Sequence, residues 1–195
     1  IVQSRLNESE KIELIKDNME TVIDVLGLDR KDDSIGGTAD RVAKMFVKEL
    51  CYGLSYNRFP KISVFENKMK YDSMVIQKDI TFHSLCEHHF VNFNGMAQVA
   101  YIPNGKVIGL SKLNRVVNFF ARRPQVQERL NEQIFRALEY VLGTSDIAVL
   151  ISAEHLCVKS RGIGDQNSGM TTSKLGGAFF DDPRLRNEFM QLAGR

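Results

Sequence analysis

Two short segments rich in cysteine and histidine constrain this chain most, because a shared metal would require the fold to bring them together. Residues 86–89 are Cys-Glu-His-His, and residues 155–157 are His-Leu-Cys. These segments contain two of the three cysteines and three of the four histidines of the chain. Thiolate and imidazole are the ligands that zinc prefers. The clustering therefore predicts one zinc site assembled from two distant segments.

The spacing inside each segment suggests which side chains bind the metal. Cys86 and His89 are separated by two residues, a common spacing for two ligands of one site. His155 and Cys157 alternate within a predicted strand, so both would face one pocket. His88 would point away from His89 in an extended chain, and only a turn would bring both inward.

Three interpretations of the cluster stay open on spacing alone. Three firm ligands would leave a fourth tetrahedral position for water, which is typical of catalytic zinc. A closed structural site would take Cys86, His89 and Cys157 together with His88 or His155. The third interpretation is that these are unrelated core cysteines and surface histidines.

Composition limits the function classes and the expected location. The chain has 195 residues, of which 43% are hydrophobic and 26% charged, as in a soluble globular protein. A net charge of +2 argues against a general nucleic-acid binder but permits a local basic pocket. The apolar run at residues 147–153 is too short to cross a membrane. Three cysteines do not make a disulfide framework, and residues 1–5 lack a signal-peptide layout, so we expect a cytoplasmic protein.

The order of predicted elements indicates an α+β fold with an antiparallel sheet. The first fifty residues have helical periodicity, with a stop at Gly27 and a second helix capped by Thr38. The rest alternates between strand and helix patterns, in this order: strands at 74–76, 80–82, 91–93 and 96–102, a short strand at 107–110, helices at 111–122 and 124–142, a strand at 147–160, a loop at 162–173 and a helix at 183–192. Asn94-Gly95 is predicted to be a hairpin turn.

Two further segments carry candidate binding residues. Ser111, Lys112 and Arg115 lie where a strand leads into a helix, and a helix N-terminus favours phosphate. Lys159 and Arg161 form a second basic pair just past Cys157. The alternative for the first group is a capping serine followed by solvated charges.

The segment Gln127-Glu128 follows Pro124 in a predicted helix. A carboxylate in a pocket can accept two parallel N–H bonds, as guanine's N1–H and amino group would offer. The alternative for Glu128 is an exposed helix charge.

Four motifs together closely resemble the GTP cyclohydrolase I family. They are CEHHF at residues 86–90, GLSKLNR at 109–115, RPQVQERL at 123–130 and HLCVKSRG at 155–162. The resemblance runs in order from about residue 41 to residue 177. Such long motifs in the family's order make a chance match improbable.

The resemblance implies a metal site and an acid–base pair. Cys86, His89 and Cys157 would bind zinc, whereas His88 and His155 would transfer protons without binding the metal. The implied reaction opens the imidazole ring of GTP at C8 and yields formate and 7,8-dihydroneopterin triphosphate.

The resemblance also implies the substrate contacts. Glu128 would hold the guanine, with Gln127 as a further substrate-binding residue. The triphosphate would be lined by hydroxyl and basic side chains, namely Ser111, Lys112, Arg115 and Arg161. Arg41 would reach in from a neighbouring subunit.

The family's architecture is the tunnelling fold, an antiparallel sheet with two long helices packed on it. Here N-terminal helices would precede it, in a segment spanning residues 1–60, with the catalytic domain at residues 61–195. The resemblance further implies a homodecamer with active sites at subunit interfaces, and no nucleic-acid or membrane partner. Two alternatives remain: a zinc-stabilised binding module for protein or RNA, and another pterin or deazapurine enzyme of the same fold.

Overall fold

The computed structural model describes residues 4–194, which divide into one unit ending at Arg58 and another starting at Phe59. In the first unit, α1 (Glu8–Val25) begins with a capping box between Asn7 and Glu10. The chain leaves this helix at Gly27, whose φ of 76° suits glycine, and this confirms the predicted stop.

The second helix of this unit starts one residue earlier than predicted. α2 (Thr38–Lys44) has Gly37 at the N-cap and continues into a π-helical segment, Met45–Leu50. The prediction that Thr38 caps the helix is therefore wrong. Thr38 Oγ1 instead accepts a hydrogen bond from the Arg41 guanidinium at 3.0 Å.

The second unit contains the remaining helices and strands. In chain order these are β1 (Val64–Glu66), β2 (Val75–Cys86), β3 (Asn92–Tyr101), β4 (Lys106–Ile108), α3 (Leu110–Ala121), β5 (Pro124–Gln125), α4 (Gln127–Leu142), β6 (Ile147–His155), α5 (Leu156–Lys159), β7 (Met170–Leu175), α6 (Ala178–Asp181) and α7 (Pro183–Ala193). Within the described residues, five strands form one sheet in the order β5-β2-β3-β6-β7. Its pairs are antiparallel except for the short parallel pair of β2 with β5. The predicted combination of helices with a mainly antiparallel sheet is confirmed.

Helices α3 and α4 pack on one face of this sheet, α3 against β2 and α4 against β6 and β7. Their inward residues recur three or four apart, as an apolar helix face requires. They are Leu113, Val116, Val117 and Phe120 in α3, and Leu130, Ile134, Phe135 and Leu138 in α4. Each large side chain buried in this way contributes about 1.5–3 kcal/mol. The other face is covered where Phe179 and Phe189 of α6 and α7 pack on Ala100 and Ala148.

The predicted hairpin at Asn94-Gly95 is wrong, because both residues lie inside the continuous strand β3. Gly95 pairs with Ala153 of β6. A Cβ on Gly95 would lie 2.1 Å from the Ser152 carbonyl oxygen, so close strand packing rather than a turn requires glycine there. The chain actually reverses between β2 and β3, in the segment that carries His88 and His89.

Three further boundaries differ from the sequence prediction. The strand predicted at 147–160 ends at His155, and Cys157 lies in the helical turn α5. The helix predicted from Pro124 begins at Gln127, because Pro124 and Gln125 pair with β2. The loop predicted at 162–173 contains the start of β7. None of the described helices combines the length and apolarity needed to cross a membrane.

Candidate metal centre and substrate site

The three predicted ligands meet at one end of the sheet. Cys86 ends β2, His89 lies in the turn that follows, and Cys157 lies in α5 just after β6. Because β2 and β6 both run antiparallel to β3, their carboxyl ends emerge at the same end. The sulfur atoms of both cysteines and a ring nitrogen of His89 all lie within 4.8 Å of one another.

This group fits a zinc ion in both spacing and chemistry. Zinc binds sulfur at about 2.3 Å and imidazole nitrogen at about 2.0 Å, so one ion between the three atoms needs only small adjustments. Burial, and then the adjacent Cys86 thiol, raise the pKa of the Cys157 thiol. Two neighbouring thiolates repel each other, and a divalent cation between them removes that penalty.

A tight turn brings the two adjacent histidines to this cluster. The Cys86 amide donates to the Val91 carbonyl, and the Phe90 amide donates to the Cys86 carbonyl, each at 2.9 Å. Phe90 adopts a left-handed φ of 52°. His88 Nδ1 lies 3.7 Å from Cys86 Sγ. The chain thus turns as the sequence argument required, but His88 does not belong to the close ligand group.

His155 also lies beside the cluster without joining the ligand group. Its ring stacks on Phe93 of β3, with centroids 4.6 Å apart and planes 3° from parallel. Its Nε2 is 2.9 Å from Gln127 Oε1. Burial lowers the pKa of His155, and the nearby Glu128 carboxylate opposes that shift. Since β6 ends here, His155 and Cys157 do not share a strand face as predicted; the strand end and the following helical turn present them.

The start of α4 supplies two predicted substrate residues with different environments. Gln127 is only 1% exposed, and its amide contacts protein groups at both ends. Glu128 is exposed in the first turn of the helix. Its exposure leaves the carboxylate available to a ligand.

An ion pair that the sequence did not indicate joins α4 to the turn after β2, which carries His88 and His89. Arg129 donates to both oxygens of Glu87, at 2.5 and 3.1 Å. The hydrogen bond from Arg129 lowers the pKa of Glu87. Glu87 lies between two predicted ligands and Arg129 follows Glu128, but no spacing rule relates segments so far apart.

The basic candidates lie in three places. Ser111 and Arg115 are exposed in the first turns of α3, with Lys112 half-buried between them. Arg161 is close enough to Cys157 for its charge to favour the thiolate. Arg41 lies in the first unit, where its guanidinium donates to the Ser34 carbonyl and to Thr38. Substrate contacts by these residues stay predictions.

Lys159, the other member of the second basic pair, is already partnered. Its ammonium group lies 3.1 Å from a carboxylate oxygen of Glu154. Arg161 is therefore the more available charge of that pair.

Comparisons with known proteins agree with these motifs. Residues 15–194 match the family model described as GTP cyclohydrolase I. GTP cyclohydrolase 1 from Aeromonas salmonicida (strain A449) is 54% identical over 97% of this chain and 87% of that protein. The Klebsiella pneumoniae (strain 342) protein of the same name is 55% identical over 97% and 85%. Among solved structures, an archaeosine synthase QueF-Like in the apo form is similar at 18% identity and a TM-score of 0.41, over 55% of this chain and 99% of that one.

Proposed function

Because this chain belongs to the GTP cyclohydrolase I family, we propose how its own residues carry out that family's reaction. The chain is an enzyme of this type. It opens the guanine imidazole ring of GTP at C8 and rearranges the product to 7,8-dihydroneopterin triphosphate, with release of formate. The activity predicted from the four motifs is confirmed.

The observation that carries the proposed mechanism is the convergence of Cys86, His89 and Cys157. We assign these residues as the ligands of a zinc ion. Bound zinc would supply Lewis acidity beside the reacting carbon. Three protein ligands suit a catalytic site better than a closed structural one.

His155 and His88 are the proposed proton-transfer groups. His88 Nδ1 lies 3.7 Å from Cys86 Sγ and His155 precedes Cys157 by two residues, and neither belongs to the close ligand group. Imidazole exchanges protons near neutral pH. Burial keeps the pKa of His155 low, which favours the neutral ring that can accept a proton. Opening the five-membered ring and releasing formate both need proton transfers of this kind.

The proposed substrate contacts separate the purine from the phosphates. Glu128 would accept guanine's N1–H and amino protons in a bidentate arrangement. Ser111, Lys112, Arg115 and Arg161 would bind the triphosphate, helped by the positive end of the α3 dipole. Binding energy from the phosphates would orient C8 at the metal centre.

We further propose the tunnelling fold and a homo-oligomer, in which Arg41 would serve a neighbouring site. β2 spans Val75–Cys86, yet among the described residues it pairs on the side away from β3 only through its last two residues, with β5. β7 ends the sheet order on the opposite side. Exposed strand edges favour pairing with another strand. Joining the β2 edge of one copy to the β7 edge of the next would extend the sheet into a ring, in keeping with the predicted decamer.

We propose a reducing, cytoplasmic location, because the three cysteines are unpaired. Cys51, Cys86 and Cys157 are all free thiols. Two of them must remain reduced to bind zinc.

The direct test incubates the purified zinc-loaded protein with GTP. We expect formate release and, after oxidation, pterin fluorescence in equal amounts. A zinc-stabilised binding module would give neither product. Formate without pterin would mean that the reaction stops after ring opening, and would contradict the proposal that the enzyme catalyses all steps to the pterin.

A further inference from the structure

We propose that Gln127 is a positioning residue that holds His155 in a single tautomer, with the ring hydrogen on Nε2. The inference deepens the proposed function, because it concerns the proposed proton-transfer residue. It assigns Gln127 a role through His155 in place of direct substrate contact.

The orientation of the Gln127 amide is determined by its surroundings. Its Nε2 lies 3.0 Å from the Ile151 carbonyl oxygen and 3.1 Å from the Met170 carbonyl oxygen. Backbone carbonyls only accept hydrogen bonds, so the NH₂ end of the amide must face them. The reversed amide would direct its oxygen at two other oxygens in a buried site, which is strongly unfavourable. The amide oxygen therefore faces His155.

This orientation fixes the hydrogen of the imidazole. Gln127 Oε1 can only accept, and it lies 2.9 Å from His155 Nε2. His155 must therefore donate from Nε2, which leaves the lone pair of the neutral ring on Nδ1. The parallel Phe93 ring holds the plane of the imidazole. Nε2 thereby positions the ring through its hydrogen bond to Gln127, and Nδ1 is left for proton transfer.

A second layer of hydrogen bonds holds Gln127 itself. Thr172 Oγ1 lies 3.2 Å from Gln127 Nε2 and 3.1 Å from the side-chain nitrogen of Asn131. Gln127 and Asn131 are both nearly fully buried, at 1% and 2% exposure. The amide is thus tied to α4, β6 and β7 at once, which is how a precise orientation is maintained.

The test compares Gln127→Leu, Gln127→Glu and the control Gln98→Leu. Leucine removes the acceptor for His155. Glutamate retains an oxygen at that place and, as the neutral acid that burial beside two carbonyl oxygens favours, can still donate one hydrogen bond to them. Gln98 is also buried, at 7% exposure, but its side chain contacts Asp79 and not the site. Each variant is assayed for zinc content, KM for GTP and kcat. Nitrogen NMR of protein with ¹⁵N-labelled histidine reports the tautomer, with His155→Ser identifying the resonances.

We expect wild-type His155 to show hydrogen on Nε2 in the substrate-free enzyme. Gln127→Leu should mix the tautomers and lower kcat by about 10- to 100-fold, with zinc content and KM little changed. Gln127→Glu should recover part of this loss, and Gln98→Leu should leave kcat near the wild-type value.

The proposal is overturned by a wild-type spectrum with hydrogen on Nδ1, whether or not any variant folds. It is also overturned if Gln127→Leu retains full kcat, or if Gln127→Glu and Gln127→Leu are equally impaired. A wild-type protein that releases no formate from GTP would instead contradict the proposed function. The NMR result does not depend on that assay, so the two failures are distinguishable.

Discussion

At the scale of single residues, the surroundings of each thiol distinguish a ligand from a core side chain. Cys51 is half-buried, and desolvation alone raises its pKa to about 11, so it stays a neutral thiol. Cys157 has a second thiol, the His89 ring and the Arg161 charge nearby. Of the two cysteines, only Cys157 has surroundings in which a thiolate could bind a cation.

Replacing Cys157 with serine should remove zinc and activity together. A serine hydroxyl is a poor zinc ligand, and two remaining ligands hold the ion weakly. Zinc per subunit is measured by atomic absorption after dialysis, alongside formate release. Cys51→Ser is the matched control and should keep both. Wild-type zinc content in Cys157→Ser would rule out this ligand assignment.

Replacing His155 with serine should separate metal binding from turnover. His155 lies outside the ligand group, so zinc content should stay near one per subunit. Loss of a proton-transfer group should lower kcat by about 10²- to 10⁴-fold. Formate release at the wild-type rate would remove His155 from the mechanism, whereas zinc loss would make it a ligand.

Replacing Glu128 with alanine should weaken GTP binding. Hydrogen bonds to a charged group contribute about 1.5–3 kcal/mol, which corresponds to roughly 10- to 100-fold in affinity. Glu132→Ala is a suitable control, because that carboxylate on the same helix pairs with Lys174 and Arg136. Calorimetric titration with GTP compares the two. Equal affinity in both variants and the wild type would contradict the guanine contact.

At the scale of elements, local sequence predicted the helices better than the strands. α3 and α7 depend on periodicity and termini within one segment, and their positions were predicted within a few residues, as was the stop of α1 at Gly27. The extent of β3 depends on a neighbour that is distant in sequence, so Asn94-Gly95 resembled a turn.

The site shows the same division between local and distant causes. The candidate ligands, Cys86, His89 and Cys157, were visible in two short motifs of the sequence. The helical turn that presents Cys157 was not, and neither was the Glu87–Arg129 pair. Both depend on how β2, β6 and α4 meet in the folded chain, which no local spacing rule describes.

Gly95 lies inside β3 and not in the predicted hairpin turn, so its close packing against β6 can be tested by a substitution that lowers stability. Gly95→Ala would place a methyl group 2.1 Å from the Ser152 carbonyl oxygen and 2.8 Å from Ala153 Cβ. Both neighbours belong to β6 and cannot move alone, so we expect a loss of about 1–3 kcal/mol. Gly169→Ala is the control, since its nearest atom would be an ordinary 3.6 Å away. Urea unfolding midpoints compare the variants, and equal midpoints would refute the packing argument.

At the scale of the whole molecule, the proposed zinc ion joins chain segments that the sheet only brings near each other. Cys86 ends β2 and His89 lies in the turn that follows it, whereas Cys157 lies in the helical turn after β6. Their approach depends on both strands pairing with β3. A ligand that binds only the folded chain stabilises it, by an amount that grows with the logarithm of the free ligand concentration relative to the dissociation constant. The metal should thus serve stability as well as catalysis.

Zinc removal should therefore lower the melting temperature of the wild-type protein. Free zinc at about 100 times its dissociation constant adds about 2.7 kcal/mol to the folded state. For a chain of this size, each kcal/mol corresponds to about 2–4 °C. Calorimetry before and after chelation, and after zinc is returned, measures the shift. Cys157→Ser should melt at one temperature in all three conditions, because it lacks the site; an equal shift in that variant would mean that the chelator acts elsewhere.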